Sequence, residues 1–143
     1  MVRTFVTSNT GRVVVVRLEP GEDIFKSIEK IVSDNKILSG QLSLIGAVSK
    51  VHLGYFDRHE KVYKDFVIDE DLEVVSCVGN ISRLNDGYVV HAHLVASDVN
   101  GKCYAGHLME GCEVSVTIEI VITEFAEMTR TRDESTGLNL LNL

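Results

Sequence analysis

The sequence is poor in several residues and segments that mark particular classes of protein. It has one proline and no tryptophan, and its 11 glycines form no collagen-like repeat. No apolar run approaches the roughly 18 residues that a membrane-spanning helix needs, and the first residues resemble a strand more than a signal peptide. Hydrophobic residues make up 45% and charged residues 24%, which excludes intrinsic disorder. The length of 143 residues predicts a single globular domain. Because the sequence shows neither a membrane span nor a signal peptide, we expect a cytoplasmic protein.

Positive charge and cysteine are also scarce. The chain has 14 Lys and Arg against 21 Asp and Glu, a formal net charge of -7, so a nucleic-acid partner would need a local basic patch. The three cysteines, Cys77, Cys103 and Cys112, are an odd number and form neither a CxxC pair nor a secreted disulfide scaffold. We expect them to be reduced, small core residues.

The hydrophobic pattern favours many strands and one helix. Ile24, Ile28, Ile31 and Val32 recur at helical spacing and predict one amphipathic helix over residues 22–35. β-Branched runs and alternation predict strands near residues 2–7, 12–18, 41–47, 49–56, 61–67, 72–82, 87–97, 103–108 and 113–124. The expected fold class is α+β, with an antiparallel, strongly bent or barrel-like sheet and one main helix.

The last residues differ from the rest of the chain. Residues 129–136 are polar, and residues 137–143 carry four leucines. We therefore divide the chain into a domain over residues 1–128 and a C-terminal tail over residues 129–143. Such a tail is either frayed or docked through its leucines onto a neighbouring surface.

Three of the five histidines, His91, His93 and His107, lie close together in the sequence. Residues two apart on a strand share a face and are separated by about 6.6 Å, so His91 and His93 can converge on one metal ion. The position of His107 depends on the hairpin turn around Asn100 and Gly101. A two-residue loop would place His107 on the wrong face, whereas a three-residue loop would place it directly opposite His93.

A site of three histidines with a position left for water is typical of an open zinc centre, where the metal activates its water or polarises a carbonyl. Iron, nickel, manganese and cobalt use the same ligand type. The alternative is that the three are core or cleft histidines bonded to backbone groups. His52 and His59 are interpreted as structural.

Other candidate site residues have weaker support. Tyr55, Glu110, Glu113 and Glu119 are candidate acids, bases or partners of a ligand histidine. Cys103 and Cys112 flank His107 and are candidate additional ligands. The acidic run over residues 69–71 is interpreted as a solvated turn, with metal binding as the alternative.

Several blocks of the sequence together resemble the PPC (plant and prokaryote conserved) domain family. They are Gly46-Ala47-Val48, residues 51–56, residues 72–76, Gly79-Asn80-Ile81, His91-Ala92-His93 with Ser97-Asp98, and Gly106-His107-Leu108 with residues 111–114. The likeness spans about residues 2 to 126. It implies an α+β fold and a homotrimer, and stand-alone prokaryotic members resemble this chain in length.

The PPC fold is in turn similar to acetolactate decarboxylase, whose zinc is held by a His-x-His pair and a later histidine. That likeness implies a ligand role for His91, His93 and His107. It does not imply that this protein catalyses the same reaction, because no acid or arginine here matches that enzyme's motifs. Arg83 is the nearest basic candidate in sequence. The AT-hook that precedes the domain in plants is not found in this sequence, so DNA binding by that route is not expected.

Two hypotheses follow from these observations. In the first, the protein is a trimeric, metal-containing PPC protein whose three-histidine site binds a small ligand or performs a metal-assisted reaction. In the second, it is a non-enzymatic oligomeric regulatory or DNA-associated module, in which metal is structural or absent.

Overall fold

The computed structural model describes residues 5–143. Over these residues the chain forms nine strands and one helix. In chain order they are β1 (Val13–Leu18), α1 (Ile24–Asp34), β2 (Gly40–Asp57), β3 (Val62–Ile68), β4 (Leu72–Leu84), β5 (Gly87–Ser97), β6 (Cys103–Leu108), β7 (Glu113–Glu124), β8 (Thr129–Arg132) and β9 (Asn139–Asn142). The prediction of an α+β fold is confirmed.

Strand β2 organises the sheet because it pairs with four other strands. Its pairing with β4 and β6, together with the β4–β5 and β5–β6 ladders, closes a ring, and β7 and β1 extend the sheet on one side. Two separate strands were predicted over residues 41–47 and 49–56, and this was wrong. The chain bends through register shifts around Gly46, which has a φ of 144°, so the strand continues past residue 48, where a break between two strands was predicted.

Helix α1 begins where Asp23 caps it. The Asp23 carboxylate accepts a 2.9 Å hydrogen bond from the amide of Lys26. The helix is therefore shorter by two residues at its start than the predicted span of 22–35. Its buried face, Ile24, Ile28 and Val32, joins the apolar core formed by alternate residues of the strands.

The first predicted strand, over residues 2–7, is not present in the part of the chain that the structure describes. Residues 2–4 lie outside that part, and Phe5 to Thr7 belong to no strand. The hydroxyl of Ser8 accepts a hydrogen bond from the amide of Ala126, so this segment runs past the end of β7 and does not return along β1. The prediction for residues 5–7 was therefore wrong.

The C-terminal residues are docked. Strands β8 and β9 pair with each other, and β8 contacts β4 in parallel at Thr129 and Arg83. Arg130 is 9% exposed, so docking depends on a buried arginine as well as on the leucines.

Cys77 and Cys112 are buried free thiols as expected, whereas Cys103 is exposed because it starts β6 directly after a turn. Among the described residues, no helix is long and apolar enough to cross a membrane.

Candidate metal centre

The hairpin between β5 and β6 has the three-residue loop. The amide of Asp98 donates to the carbonyl of Lys102 at 3.0 Å, and Gly101 occupies the left-handed region with a φ of 81°. The Asp98 carboxylate also accepts from the amides of Asn100 and Lys102 at 2.8 and 2.9 Å. Because this loop sets the register, His93 lies directly opposite His107.

The three imidazole rings of His91, His93 and His107 converge on one face of the sheet. Their ring centroids are 5.2, 5.2 and 5.5 Å apart, and one ligand atom from each lies within 4.8 Å of the other two. The intervening Ala92 points to the opposite face, where it joins the buried core. The histidines therefore lie on the outer face of the sheet.

The environment of the cluster favours the neutral form of two of the rings. Burial, with smaller effects of His91 and His93, lowers the pKa of His107 to about 4. Burial also lowers the pKa of His91, and Arg130 and His93 contribute to that shift. A neutral imidazole has a free lone pair, which is the form that binds a metal ion.

One nitrogen of the cluster is unsatisfied. The Nδ1 atom of His107 is buried and has no hydrogen-bond partner within residues 5–143. Buried polar groups are normally hydrogen-bonded, so an unpaired ring nitrogen needs an explanation. A set of three imidazoles with such an atom fits a divalent transition metal, which could polarise a bound water or carbonyl.

Two residues that the sequence did not indicate lie beside the histidines. The Tyr63 ring, on β3, is 4.8 Å from the His107 ring. Arg130, on β8, donates to Ser82 Oγ at 2.7 Å, to Asn80 Oδ1 at 2.8 Å and to the carbonyl of Asn139 at 2.8 Å. Neither residue stands in a motif with a histidine, and no local signal in the sequence indicates them.

None of the weaker candidates belongs to the three-histidine group. Tyr55 is 68% exposed and lines a cavity together with His93 and His107, whereas Arg83 forms an ion pair with Glu127 at 3.2 Å. The other acids and thiols proposed from the sequence do not join the three-histidine group; they are Glu110, Glu113, Glu119, Cys103, Cys112 and the acidic run over residues 69–71.

His52 has the structural role that was predicted for it. One ring nitrogen lies 2.6 Å from the carbonyl oxygen of Glu110, and the other lies 2.6 Å from Asp65 Oδ2. Both nitrogens therefore have protein partners. The exposed turn residue His59 is also absent from the three-histidine group.

Small molecules can reach the histidines through neighbouring cavities. One of about 540 Å3 includes His91 and His93, and another of about 450 Å3 includes His93, His107 and Tyr63. A smaller cavity of about 190 Å3 lies between His91, His107, Tyr63 and Arg130. The cluster is thus accessible even though His107 is largely buried.

Residues 6–126 match the model of the Plants and Prokaryotes Conserved (PCC) domain. The chain belongs to this family. It is the family that the sequence resembles, which structural studies also abbreviate PPC. The matched segment contains the three histidines and ends before Arg130.

Solved structures share this fold. A metal-containing protein from Archaeoglobus fulgidus is 29% identical, with a TM-score of 0.90 over 99% of this chain and 100% of that one. A PPC protein from Pyrococcus horikoshii is 25% identical, with a TM-score of 0.89 over 99% of both chains. Acetolactate decarboxylase from Bacillus subtilis has a TM-score of 0.56 at 15% identity, over 92% of this chain and 60% of that one, a likeness of fold alone.

Among curated proteins, the bifunctional protein GlmU of a Synechococcus strain is 33% identical over 129 residues. The match covers 88% of this chain and 20% of that protein. The chain therefore spans about a fifth of the length of the curated relatives it matches.

Proposed function

We propose that this PPC-domain protein holds a divalent transition metal, zinc in the first place, on His91, His93 and His107. A coordination position left open on that metal binds a small molecule, either for recognition or for a metal-assisted reaction. When bound, the metal would supply Lewis-acid chemistry at the site.

The observation that carries this proposal is the convergence of three imidazoles, with one ligand atom of each within 4.8 Å of the other two. The buried, unpaired Nδ1 of His107 supports it. Zinc is our first choice because three histidine ligands and an open position are a common catalytic zinc arrangement. The similar protein from Archaeoglobus fulgidus is described as metal-containing, which supports a metal without identifying it.

Metal analysis of protein purified without a histidine tag tests the proposal. We expect about one equivalent of a transition metal per chain, or uptake of one equivalent of zinc by protein stripped with a chelator. The double variant His91→Ala/His93→Ala should lose this uptake, and the control His59→Ala should retain it. Wild-type protein that neither contains a transition metal nor takes up zinc would overturn the proposal.

The proposal includes a homotrimer, supported by a row of exposed side chains across neighbouring strands. Val15 lies opposite Val121, Val121 opposite Ser43, and Ser43 opposite Val78. The three valines are 71%, 40% and 53% exposed, and Val78 in turn lies opposite His93. Apolar surface of this kind is typical of protein–protein contacts, and a second copy of the chain is the occupant we propose.

We also place the protein in the cytoplasm and keep the division into a domain over residues 1–128 and a tail over residues 129–143. The three free cysteines suit a reducing compartment. The family match, which ends at residue 126, is close to the proposed boundary.

A DNA-associated regulatory module is the second candidate function. A similar structure from Bacteroides thetaiotaomicron, 25% identical with a TM-score of 0.87 over 94% of this chain, is described as a candidate DNA-binding protein. The net charge of -7 opposes such a role. Titration with duplex DNA, first at low salt and then at higher salt, tests this candidate. Binding to the phosphate backbone is strong at low salt and weakens as the salt concentration rises. Absence of binding at low salt would remove this candidate.

A further inference from the structure

The buried arginine beside the histidines has no acidic partner. Arg130 is 9% exposed, and within residues 5–143 no carboxylate lies at ion-pair distance from its guanidinium. All of its hydrogen bonds go to neutral acceptors: a hydroxyl, an amide oxygen and a backbone carbonyl. A buried charge is costly unless a charge of opposite sign or a full set of hydrogen bonds compensates it.

The hydrogen bonds of Arg130 leave donors free. A guanidinium has five N–H groups, one on Nε and two on each terminal nitrogen. Nε, Nη1 and Nη2 each donate once within the protein. One N–H on each terminal nitrogen therefore remains for another acceptor, and the protein contacts hold the group in place for it.

The cavity of about 190 Å3 is bounded by both Arg130 and the histidines. His91, His107 and Tyr63 form part of its wall, and the remainder is mainly apolar: Val89, Val90, Leu138 and Leu140, with Asn139. It is smaller than the roughly 300–1,000 Å3 of pockets for drug-sized ligands. It therefore suits a compact ligand with an anionic end and a short apolar part.

We propose that this cavity binds a small carboxylate anion, whose oxygens accept hydrogen bonds from Arg130 while the rest of the molecule lies against His91 and His107. The inference deepens the proposed function, since it names the ligand class of the three-histidine site. It depends on a residue outside the segment that matches the family model.

Propionate is the test ligand for this proposal. Its neutral isostere propionamide and inorganic phosphate are the two comparison ligands. Backbone amide chemical shifts are followed during titration of tag-free protein, once stripped of metal and once loaded with zinc. We expect propionate to shift the amides of His91, Asn139 and Leu140 saturably in both samples, more tightly in the zinc-loaded one. Propionamide should bind at least about tenfold more weakly, because it carries no negative charge. Phosphate should also bind more weakly, because the mainly apolar wall leaves its remaining oxygens without hydrogen-bond partners.

The variant Arg130→Gln should weaken propionate binding about tenfold or more, because a charged donor is lost. Arg83→Gln is the matched control, since Arg83 is paired with Glu127 and does not line the cavity; its affinity should equal that of the wild type. If Arg130→Gln does not fold, the comparison of propionate with propionamide on wild-type protein still tests whether the cavity prefers a carboxylate.

Equal binding of propionate and propionamide, no binding of propionate, or tighter binding of phosphate would each overturn the carboxylate assignment. Zinc uptake is measured on the same samples. Zinc uptake without propionate binding overturns this inference alone, whereas Arg130-dependent propionate binding without zinc uptake overturns only the proposed metal.

Discussion

Arg130 donates a hydrogen bond of 2.8 Å from Nη2 to Oδ1 of Asn80. Asn80 is the residue directly opposite His91 in the ladder between β4 and β5. The contact therefore joins the C-terminal hairpin to the strand that pairs with the first histidine of the cluster. Residues that follow the family-matched segment thus form part of the wall of the candidate site.

We expect Asn80→Ala to lower the free energy of unfolding by about 1.5–3 kcal/mol, because it removes an acceptor from a buried charged donor. Urea unfolding at pH 7 measures this change. Asn142→Ala, at the exposed end of β9, is the control and should stay within about 0.5 kcal/mol of the wild type. An Asn80→Ala protein as stable as the wild type would show that the contact does not stabilise the fold.

Gly79 is a second point at which the backbone determines the site. A Cβ there would overlap the carbonyl oxygen of His91 and lie 2.6 Å from the Cβ of Ala92. We expect Gly79→Ala to lower the free energy of unfolding by about 1–3 kcal/mol and to weaken zinc binding, because the strand carrying His91 must shift. Urea unfolding and zinc titration measure the two effects.

Gly87→Ala is the matched control for this substitution. The atom nearest to an added Cβ, the carbonyl oxygen of Leu84, would be 3.7 Å away, which is an ordinary contact. We expect the variant to retain zinc binding and to change stability by less than about 1 kcal/mol. Similar losses in both variants would contradict the steric explanation.

The pair formed by His52 and Asp65 gives a pH dependence outside the candidate site. Hydrogen bonds to Asp65 and to the Glu110 carbonyl raise the pKa of His52 above its usual 6.5. The folded protein therefore binds a proton on His52 more tightly than the unfolded chain does. The contribution of the His52–Asp65 pair to the free energy of unfolding is fully present below pH 6.5 and is lost as the pH rises through the raised pKa of His52. Asp65→Asn should thus cost more stability at pH 5.5 than at pH 8.5, with a difference of roughly 0.2–1 kcal/mol.

Urea unfolding at the two pH values checks this prediction. Asp69→Asn, which removes an exposed acid from the same part of the chain, controls for the general effect of net charge. A loss for Asp65→Asn that is equal at both pH values, or larger at pH 8.5, would be inconsistent with a protonated His52.

Local sequence patterns predicted much of the fold. The bounds of β5, β6 and β7 agree with the prediction because alternation and turn residues act over a few positions. The helix was predicted for the same reason. The continuous β2 was missed, since register shifts around Gly46 depend on the neighbouring strands and not on residues 41–56 alone.

The same distinction applies to the site. The spacing of His91 and His93 places them on one face whatever the rest of the fold, and the position of His107 depended only on the length of one hairpin loop. Arg130 and Tyr63 reach the histidines through the β8 contact with β4 and the β2–β3 pairing. Pairing between distant segments has no signature in a single sequence, which is why Arg83 was considered in place of Arg130.

The exposed valine row predicts the effect of a charge on assembly. Val121 lies at the centre of the row, between Val15 and Ser43. We expect Val121→Asp to convert the proposed trimer to monomers, because a buried unpaired carboxylate at a contact between copies is costly. Light scattering coupled to size-exclusion chromatography measures the mass directly. Val99→Asp, on a turn residue that is 97% exposed, is the matched control and should remain trimeric. A monomeric wild type, or a Val121→Asp protein with unchanged mass, would contradict an interface at this row.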